Sequence, residues 1–294
     1  MVLRRRASRL LHAALGPDAE KTLEIDNDLA VALVTANRAD KAVPILQSVV
    51  ERRRLINPRN PELASNLGNL GGALIGLGRF KEAESVISES VALGTDVLGI
   101  DNGVTLASLN LLSYALEGQE RWTEAETKYL AVLADRRRVR GPTHYETQRT
   151  LAFLSRLYAK QRRWPDAARY LAELMLAQKP NPGRSLTTLT TALSTASGEQ
   201  PDPATAAPIL SECWRALKER MWKGDWLTAE VAFRYGDCIR RQGDYEGAKP
   251  ILEAAANDVA KAVGVPAWGV AASRKRVADL YADWKKPDEA AKWK

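Results

Sequence analysis

The chain has 294 residues, of which 45% are hydrophobic and 27% are charged. These proportions are ordinary for a globular protein and exclude a largely disordered chain. The formal net charge of +7 makes acidic partners and nucleic acid worth considering, although 36 acidic residues are interspersed among 43 basic ones. The longest uncharged stretch, residues 63–78, is shorter than the roughly 20 apolar residues that a membrane span needs.

Cysteine usage and the start of the chain indicate the compartment. Cys213 and Cys238 are too far apart in sequence for a metal knuckle or a redox CxxC pair, which suits a reducing environment. The arginine-rich first residues lack an apolar run long enough for a signal peptide. We therefore expect a cytoplasmic protein with no membrane partner.

One alanine recurs through the chain at a nearly constant interval. It lies at Ala42, Ala83, Ala125, Ala167, Ala206, Ala248 and Ala290, with steps of 41, 42, 42, 39, 42 and 42 residues. Around three of these alanines, the segments that begin at Arg79, Arg121 and Arg163 align without a gap. A period of this length predicts an array of supersecondary repeats.

Each repeat is predicted to contain two helices. In the second repeat Leu67, Leu70 and Leu74 follow the spacing of one helical face, and an aromatic residue, Phe80, marks the turn that follows. The recurrent alanine comes next, where a small side chain lets two helices approach closely. The sequence therefore predicts about fourteen helices in seven pairs, without a sheet.

The fifth repeat departs from this pattern. Between residues 178 and 203 the chain carries four prolines around a Ser/Thr-rich run, and the period falls to 39. Ser and Thr are mediocre helix formers, so a helix there depends on its neighbours. We predict a bend or a flexible joint, which divides the chain into an N-terminal array, 1–178, and a C-terminal array, 179–294.

Residues 60–84, NPELASNLGNLGGALIGLGRFKEAE, resemble the 42-residue tetratricopeptide variant of kinesin light chains. Residues 136–147 resemble the junction between such repeats, and residues 276–293 are similar to repeat tails of some bacterial serine/threonine kinases. No kinase motif accompanies them. The resemblance implies an all-α, right-handed superhelical solenoid of about seven helix-turn-helix repeats. It also implies that the first helices form a concave groove that holds a peptide or a helix of another protein.

The first helix of the second repeat carries a stripe of glycines at four-residue spacing, Gly68, Gly72 and Gly76, with Asn69 beside it. Glycine in a helix interior costs about 1 kcal/mol relative to alanine, so a compensating contact is expected. Close approach of a partner's backbone would compensate, and so would tight packing against the adjacent helix. The sequence leaves both interpretations open.

The next two repeats place polar residues on the corresponding face, namely Asn110, Tyr114 and Glu117, then Arg149, Arg156 and Lys160. Asn amides can bond a peptide backbone, and Arg offers a fork for carboxylates. The pattern predicts a groove that changes from neutral to basic and suits a peptide with an acidic end. The alternative is a solvated charged face without a ligand.

Other functions receive less support from the sequence. The two histidines, His12 and His144, are isolated, and no catalytic triad, metal spacing or phosphate loop is present, so we predict no enzyme activity and no cofactor. Arginines 52–54 and 136–138 lie at the ends of second helices and offset the helix dipole, with Arg52 aligned to Arg136, which argues against nucleic acid. Ser8 follows three arginines and resembles a site for kinases that prefer basic sequences.

These observations support two hypotheses. The first is a scaffold or adaptor that binds a peptide or helix of another protein in its concave groove. The alternative is a regulatory or self-assembly module of a larger, kinase-linked signalling system, which would form homo-oligomers through the solenoid ends.

Overall fold

The computed structural model describes residues 2–178, 202–220, 226–262 and 267–293, and every regular element in these ranges is an α-helix. In chain order the fourteen described helices are α1 (Val2–Leu15), α2 (Glu20–Thr35), α3 (Ala39–Ile56), α4 (Pro61–Gly76), α5 (Phe80–Leu98), α6 (Gly103–Gly118), α7 (Trp122–Arg140), α8 (Tyr145–Lys160), α9 (Trp164–Ala177), α10 (Pro203–Arg220), α11 (Trp226–Arg241), α12 (Tyr245–Lys261), α13 (Ala267–Asp283) and α14 (Pro287–Ala291). The predicted all-α class is confirmed.

The chain divides into two compact units, Met1–Pro142 and Thr143–Lys294. The first contains α1 and the pairs α2/α3, α4/α5 and α6/α7, and the second contains α8/α9, α10, α11/α12 and α13/α14. The predicted division at 178/179 and the predicted joint fall on or beside residues outside the described ranges, so both stay predictions.

The recurrent alanine is the fourth residue of the second helix in every repeat. All seven alanines are at most 6% exposed. A larger side chain at this position would separate the two helices of a pair, since the interior is closely packed. The structure therefore confirms the paired helices that the alanine spacing predicts, with α10 present as the second helix of the fifth repeat.

Each described turn between paired helices has the same backbone geometry. Three residues separate the two helices, and the middle one has a positive φ, as at Asn37 (57°), Gly78 (71°), Glu120 (60°) and Gly243 (86°). This left-handed conformation reverses the chain in a short space and is uncommon for residues other than glycine. All these turns therefore have equal length and a common shape.

The arginine of the repeated Arg-aromatic-x-acid segment is the last residue of this turn, and it pairs with the acidic residue of the same segment. Arg79 bonds Glu82 three residues later, and Arg121 and Arg163 make the equivalent pairs with Glu124 and Asp166. The bond from Arg79 lowers the pKa of Glu82 below its usual value. These pairs are exposed and add little stability, but they help to fix the first turn of each second helix.

A second small-residue position brings the paired helices together. A Cβ atom built on Gly71 of α4 would lie 2.1 Å from Ile87 Cγ1 of α5. On Gly236 of α11, which stands equally far before its recurrent alanine, it would lie 2.6 Å from Leu252 of α12. The two backbones can meet only where one side chain is absent.

Candidate protein-binding surface

The first helices of the first unit share one face that is at least partly exposed along its length, although at one end Gly118 packs against the Phe80 ring of α5, 2.4 Å from the position of a Cβ on Gly118. Helix α4 contacts both α2 and α6, so the three helices stand side by side. Residues 18, 14, 11 and 7 positions before each recurrent alanine share one side of their helix. All twelve are at least partly exposed, and we call them the first-helix surface: Glu24, Asp28, Val31, Thr35, Ser65, Asn69, Gly72, Gly76, Ala107, Leu111, Tyr114 and Gly118.

The chemistry of the first-helix surface changes from one helix to the next. Helix α2 contributes the carboxylates of Glu24 and Asp28, and neither forms an ion pair within the described residues. Helix α4 contributes small and neutral groups, while α6 contributes the half-buried side chains of Leu111 and Tyr114. The acidic character of α2 was missed in the sequence, because Glu24 and Asp28 lie in the weakly matching first repeat.

An asparagine cluster holds α2 and α4 together beneath this surface. Asn27 Oδ1 accepts hydrogen bonds from Asn66 Nδ2 and Asn69 Nδ2, both at 2.9 Å. Asn66 is 2% exposed, whereas Asn69 remains half-buried. The predicted contact residue Asn69 is therefore held in place by the preceding repeat and still reaches the surface.

The structure divides the predicted glycine stripe. Gly68 is buried, and a Cβ there would lie 3.1 Å from Ser108 Oγ and 3.5 Å from Ser90 Oγ, so it serves packing. A Cβ on Gly72 would meet only Leu111 Cδ1 at 3.9 Å, and one on Gly76 would meet only Ala39 Cβ at 3.4 Å. Packing explains Gly68, whereas a methyl group at Gly72 would fit in ordinary contact with Leu111.

Asn110 does not belong to the surface that the sequence predicted for it. Its side chain is only 1% exposed, because it occupies the same repeat position as Gly68 and points between helices. Tyr114, four residues later, does reach the surface. Gly68, Asn110 and Glu117, of which Glu117 is 2% exposed, are therefore corrected to interior positions.

In the second unit, Arg149, Arg156 and Lys160 share one face of α8, as predicted from their spacing. Arg149 and Lys160 are exposed, and the Arg156 guanidinium lies 4.9 Å from the centre of the Phe153 ring. The equivalent face of α11 is mixed, with Glu230 paired to Arg234 at 3.0 Å and to Arg276 of α13 at 3.1 Å. The basic character is therefore specific to α8.

Two buried arginines were not recognised in the sequence. Arg53 is 2% exposed and Arg136 is 1% exposed, and each lies eleven residues after its recurrent alanine. Arg53 Nη2 lies 2.9 Å from Glu20 Oε1, while Arg136 Nη2 donates to the Leu106 carbonyl at 3.5 Å. The predicted alignment of Arg52 with Arg136 is wrong by one residue. Counting from the alanine would have aligned the correct pair.

The described residues include no group of three His, Cys, Asp or Glu side chains that could hold a metal ion. Within the same ranges, no helix is both long and apolar enough to cross a bilayer. Cys213 is fully buried in the core of the second unit, and burial raises the pKa of its thiol well above the usual value.

Helix pairs joined by short turns, with a small buried residue early in each second helix, define an α-helical repeat protein. Residues 104–175 match the family model of the tetratricopeptide repeat. That segment spans α6 to α9, and the described second helices before and after it follow at intervals of 39 to 42 residues. The predicted resemblance is confirmed, and the part of the chain that matches tetratricopeptide repeats is residues 104–175.

Solved structures with the same kind of fold have little sequence in common with the chain. A signal-transduction ATPase of the STAND class with a tetratricopeptide repeat sensor, from Pyrococcus horikoshii, is 14% identical. Its TM-score is 0.53, and the match covers 98% of this chain and 43% of that chain. Kinesin light chain TPR-like repeats from Podosopora anserina are 16% identical, with a TM-score of 0.49, covering 81% of this chain and 95% of that chain. No curated protein matches the sequence significantly.

Proposed function

We propose that this chain is a cytoplasmic, non-catalytic scaffold or adaptor, and that the first-helix surface binds an extended peptide or a helix of another protein. Tetratricopeptide repeats generally mediate protein–protein interaction. The observation that carries the proposal is that a larger residue would fit at Gly72 without a clash, at a partly exposed position flanked by Asn69, Leu111 and Tyr114.

Glycine at position 72 lowers the stability of helix α4, and no contact within the described residues offsets this loss. Gly68 and Gly71 both lie against neighbouring side chains, so packing accounts for them. At Gly72 an alanine would fit and would favour the helix by about 1 kcal/mol. Close approach of a partner's backbone to α4 at this point would explain why residue 72 is glycine.

The flanking groups suit a polypeptide ligand. Tyr114 offers an amphipathic ring at low entropic cost, and the Asn69 amide oxygen can accept a bond from a backbone N–H. On the α2 side, Glu24 and Asp28 favour basic residues in the part of the partner that lies over them. The ligand proposed for the first unit is thus neutral over α4 and basic over α2.

Replacing Gly72 by leucine should block this surface without unfolding the chain. With a photo-crosslinking amino acid in place of Tyr114, we expect discrete protein adducts in cells, and Gly72→Leu should reduce them about tenfold or more because its side chain fills the contact. Gly72→Ala, which adds one methyl group, is the matched control and should reduce them much less. The same crosslinker at exposed Ser85 of α5 should give none of these adducts.

Two results of this experiment would contradict the proposal that this surface binds another protein. Equal adduct yields in Gly72→Leu and Gly72→Ala would show that the surface is not the contact. Adducts that contain a second copy of this chain would instead support the alternative, a self-assembly module. A link to a kinase stays a prediction in either case.

We further propose that the basic face of α8 selects an acidic ligand for the second unit. Reversing Arg149 and Arg156 to glutamate should weaken binding of an acidic peptide more than tenfold, or about 1.4 kcal/mol, and flatten its salt dependence. The control reverses exposed Arg169 and Lys249, which changes net charge equally on second helices. If both double variants weaken binding alike in a titration, net charge is responsible and α8 has no special role.

A further inference from the structure

Two side chains of helix α1 meet one carboxylate of α2. Ser8 Oγ donates to Asp26 Oδ1 at 2.6 Å, and His12 Nε2 lies 2.8 Å from Asp26 Oδ2. The apolar contribution is limited, since Leu3, Leu10 and Leu15 are 81%, 61% and 52% exposed and Leu11 is only half-buried. An element with few buried apolar contacts opens locally at low free energy. Asp26 therefore decides how firmly α1 is held.

Ser8 lies in the most basic segment of α1. Arg4, Arg5 and Arg6 precede it and Arg9 follows, and none of the four forms an ion pair within the described residues. In contrast, Arg52, Arg53 and Arg54 of α3 all pair with carboxylates. The guanidinium groups before Ser8 are thus available to an enzyme whose substrate groove is acidic.

We propose that Ser8 is a phosphorylation site for a serine/threonine kinase that recognises upstream arginines, and that the modification separates α1 from α2. In the step, Ser8 Oγ forms a bond to the γ-phosphorus of ATP while the bond from that phosphorus to the β,γ-bridging oxygen breaks. ADP leaves, and a base of the kinase takes the hydroxyl proton. Transient opening of α1 presents the serine.

Separation follows from the chemistry of the two partners. The unmodified hydroxyl is a donor to Asp26, whereas a phosphate ester has lost that proton and carries a charge of about −1.5 to −2. Asp26 is 14% exposed, so water screens the repulsion only in part. Within α1, Arg4 and Arg5 lie four and three residues before Ser8, so they can pair with the phosphate instead.

The first test is modification of the full chain by a purified arginine-directed kinase with ATP and magnesium. Intact-mass analysis should show one added phosphate, located on Ser8 by fragmentation and absent from Ser8→Ala. Hydrogen exchange of the α1 amides should then be about tenfold faster in the phosphorylated chain, while α4 exchanges unchanged. Absence of phosphate on Ser8, or equal or slower exchange in α1, would overturn the proposal.

A double-mutant cycle distinguishes charge repulsion between position 8 and Asp26 from simple loss of the Ser8–Asp26 hydrogen bond. In the unmodified chain, Asp26→Asn should speed exchange in α1, because it weakens the acceptor for Ser8 and His12. In a Ser8→Glu background the same change should slow exchange, because it removes a like charge. Ser8→Gln, similar in shape but neutral, is the control and should not reverse the sign. An effect of Asp26→Asn with one sign in all three backgrounds would contradict charge repulsion as the cause.

Discussion

Replacing Glu20 by alanine is expected to destabilise the first unit by about 2–4 kcal/mol, because it leaves a buried cation without its counter-charge. The Arg53 side chain is 2% exposed and that of Glu20 is 55% exposed, so the mutation removes the solvated partner and leaves the desolvated one. Arg53 Nε already lacks a partner within the described residues. Arg53→Met, which removes the charge and keeps the volume, should cost less than Glu20→Ala.

The matched control is the neighbouring pair of Arg54 with Glu89, whose side chains are 48% and 45% exposed. Arg54→Met should cost less than about 1 kcal/mol, as for other surface ion pairs. Urea denaturation of the full chain, combined with hydrogen exchange in α2 and α3, measures all three variants. If Glu20→Ala and Arg54→Met prove equally mild, water reaches Arg53 and the pair behaves as a surface contact.

Adjacent glycines of α4 are expected to respond to alanine with opposite signs. Gly71→Ala should cost about 1–3 kcal/mol, because its methyl group would overlap Ile87 Cγ1, which lies 2.1 Å from the Cβ position. Gly72→Ala should instead stabilise the protein by about 0.5–1 kcal/mol, since the nearest atom is 3.9 Å away and alanine is the better helix former. Thermal unfolding of the two single variants tests the difference.

A compensating change distinguishes a local clash from a general disturbance of α4. Ile87→Ala alone leaves a cavity and should be destabilising. Combined with Gly71→Ala, it removes the overlapping atoms, so the double variant should be more stable than the sum of the two effects predicts. Strict additivity would show that Gly71 is required for some reason other than contact with Ile87.

The paired helices could be predicted from sequence because their requirement is local. A helix pair needs a small residue where the backbones meet, and this need recurs at one position in every repeat, so spacing alone located the seven alanines. The turn that follows each first helix has the same length, which keeps the interval nearly constant. The role of α1 was not predicted, since it precedes the first alanine.

The first-helix surface was predicted only in part because a helical period does not say which side a neighbour covers. Gly68, Gly72 and Gly76 at four-residue spacing appear as one stripe, yet successive members turn by about 40°. Gly68 thereby packs tightly against α6, while Gly72 leaves room for a methyl group. The same rotation buries Asn110 and exposes Tyr114.

Buried arginines are hard to recognise because a charged run is usually a solvated face. Arg53 and Arg136 stand among exposed arginines of the same sequence type. Only the distance from the recurrent alanine distinguishes them, and at the same distance the second repeat has Gly94, which lies against Thr105. The position requires burial but not one residue type.

The constant turn has a consequence for how the gene can change. Each described turn between paired helices contains three residues. The first interval between alanines is one residue shorter because α3 has 18 residues, whereas α5 and α7 have 19. Tandem duplication or loss of one whole period joins a second helix to another first helix through an existing kind of linker. Such a recombination event keeps the helix–helix contacts within and between repeats, whereas an insertion of a few codons within a turn disrupts the packing of one helix pair. The array can therefore lengthen or shorten in whole repeats, and each added repeat extends the first-helix surface by one helix.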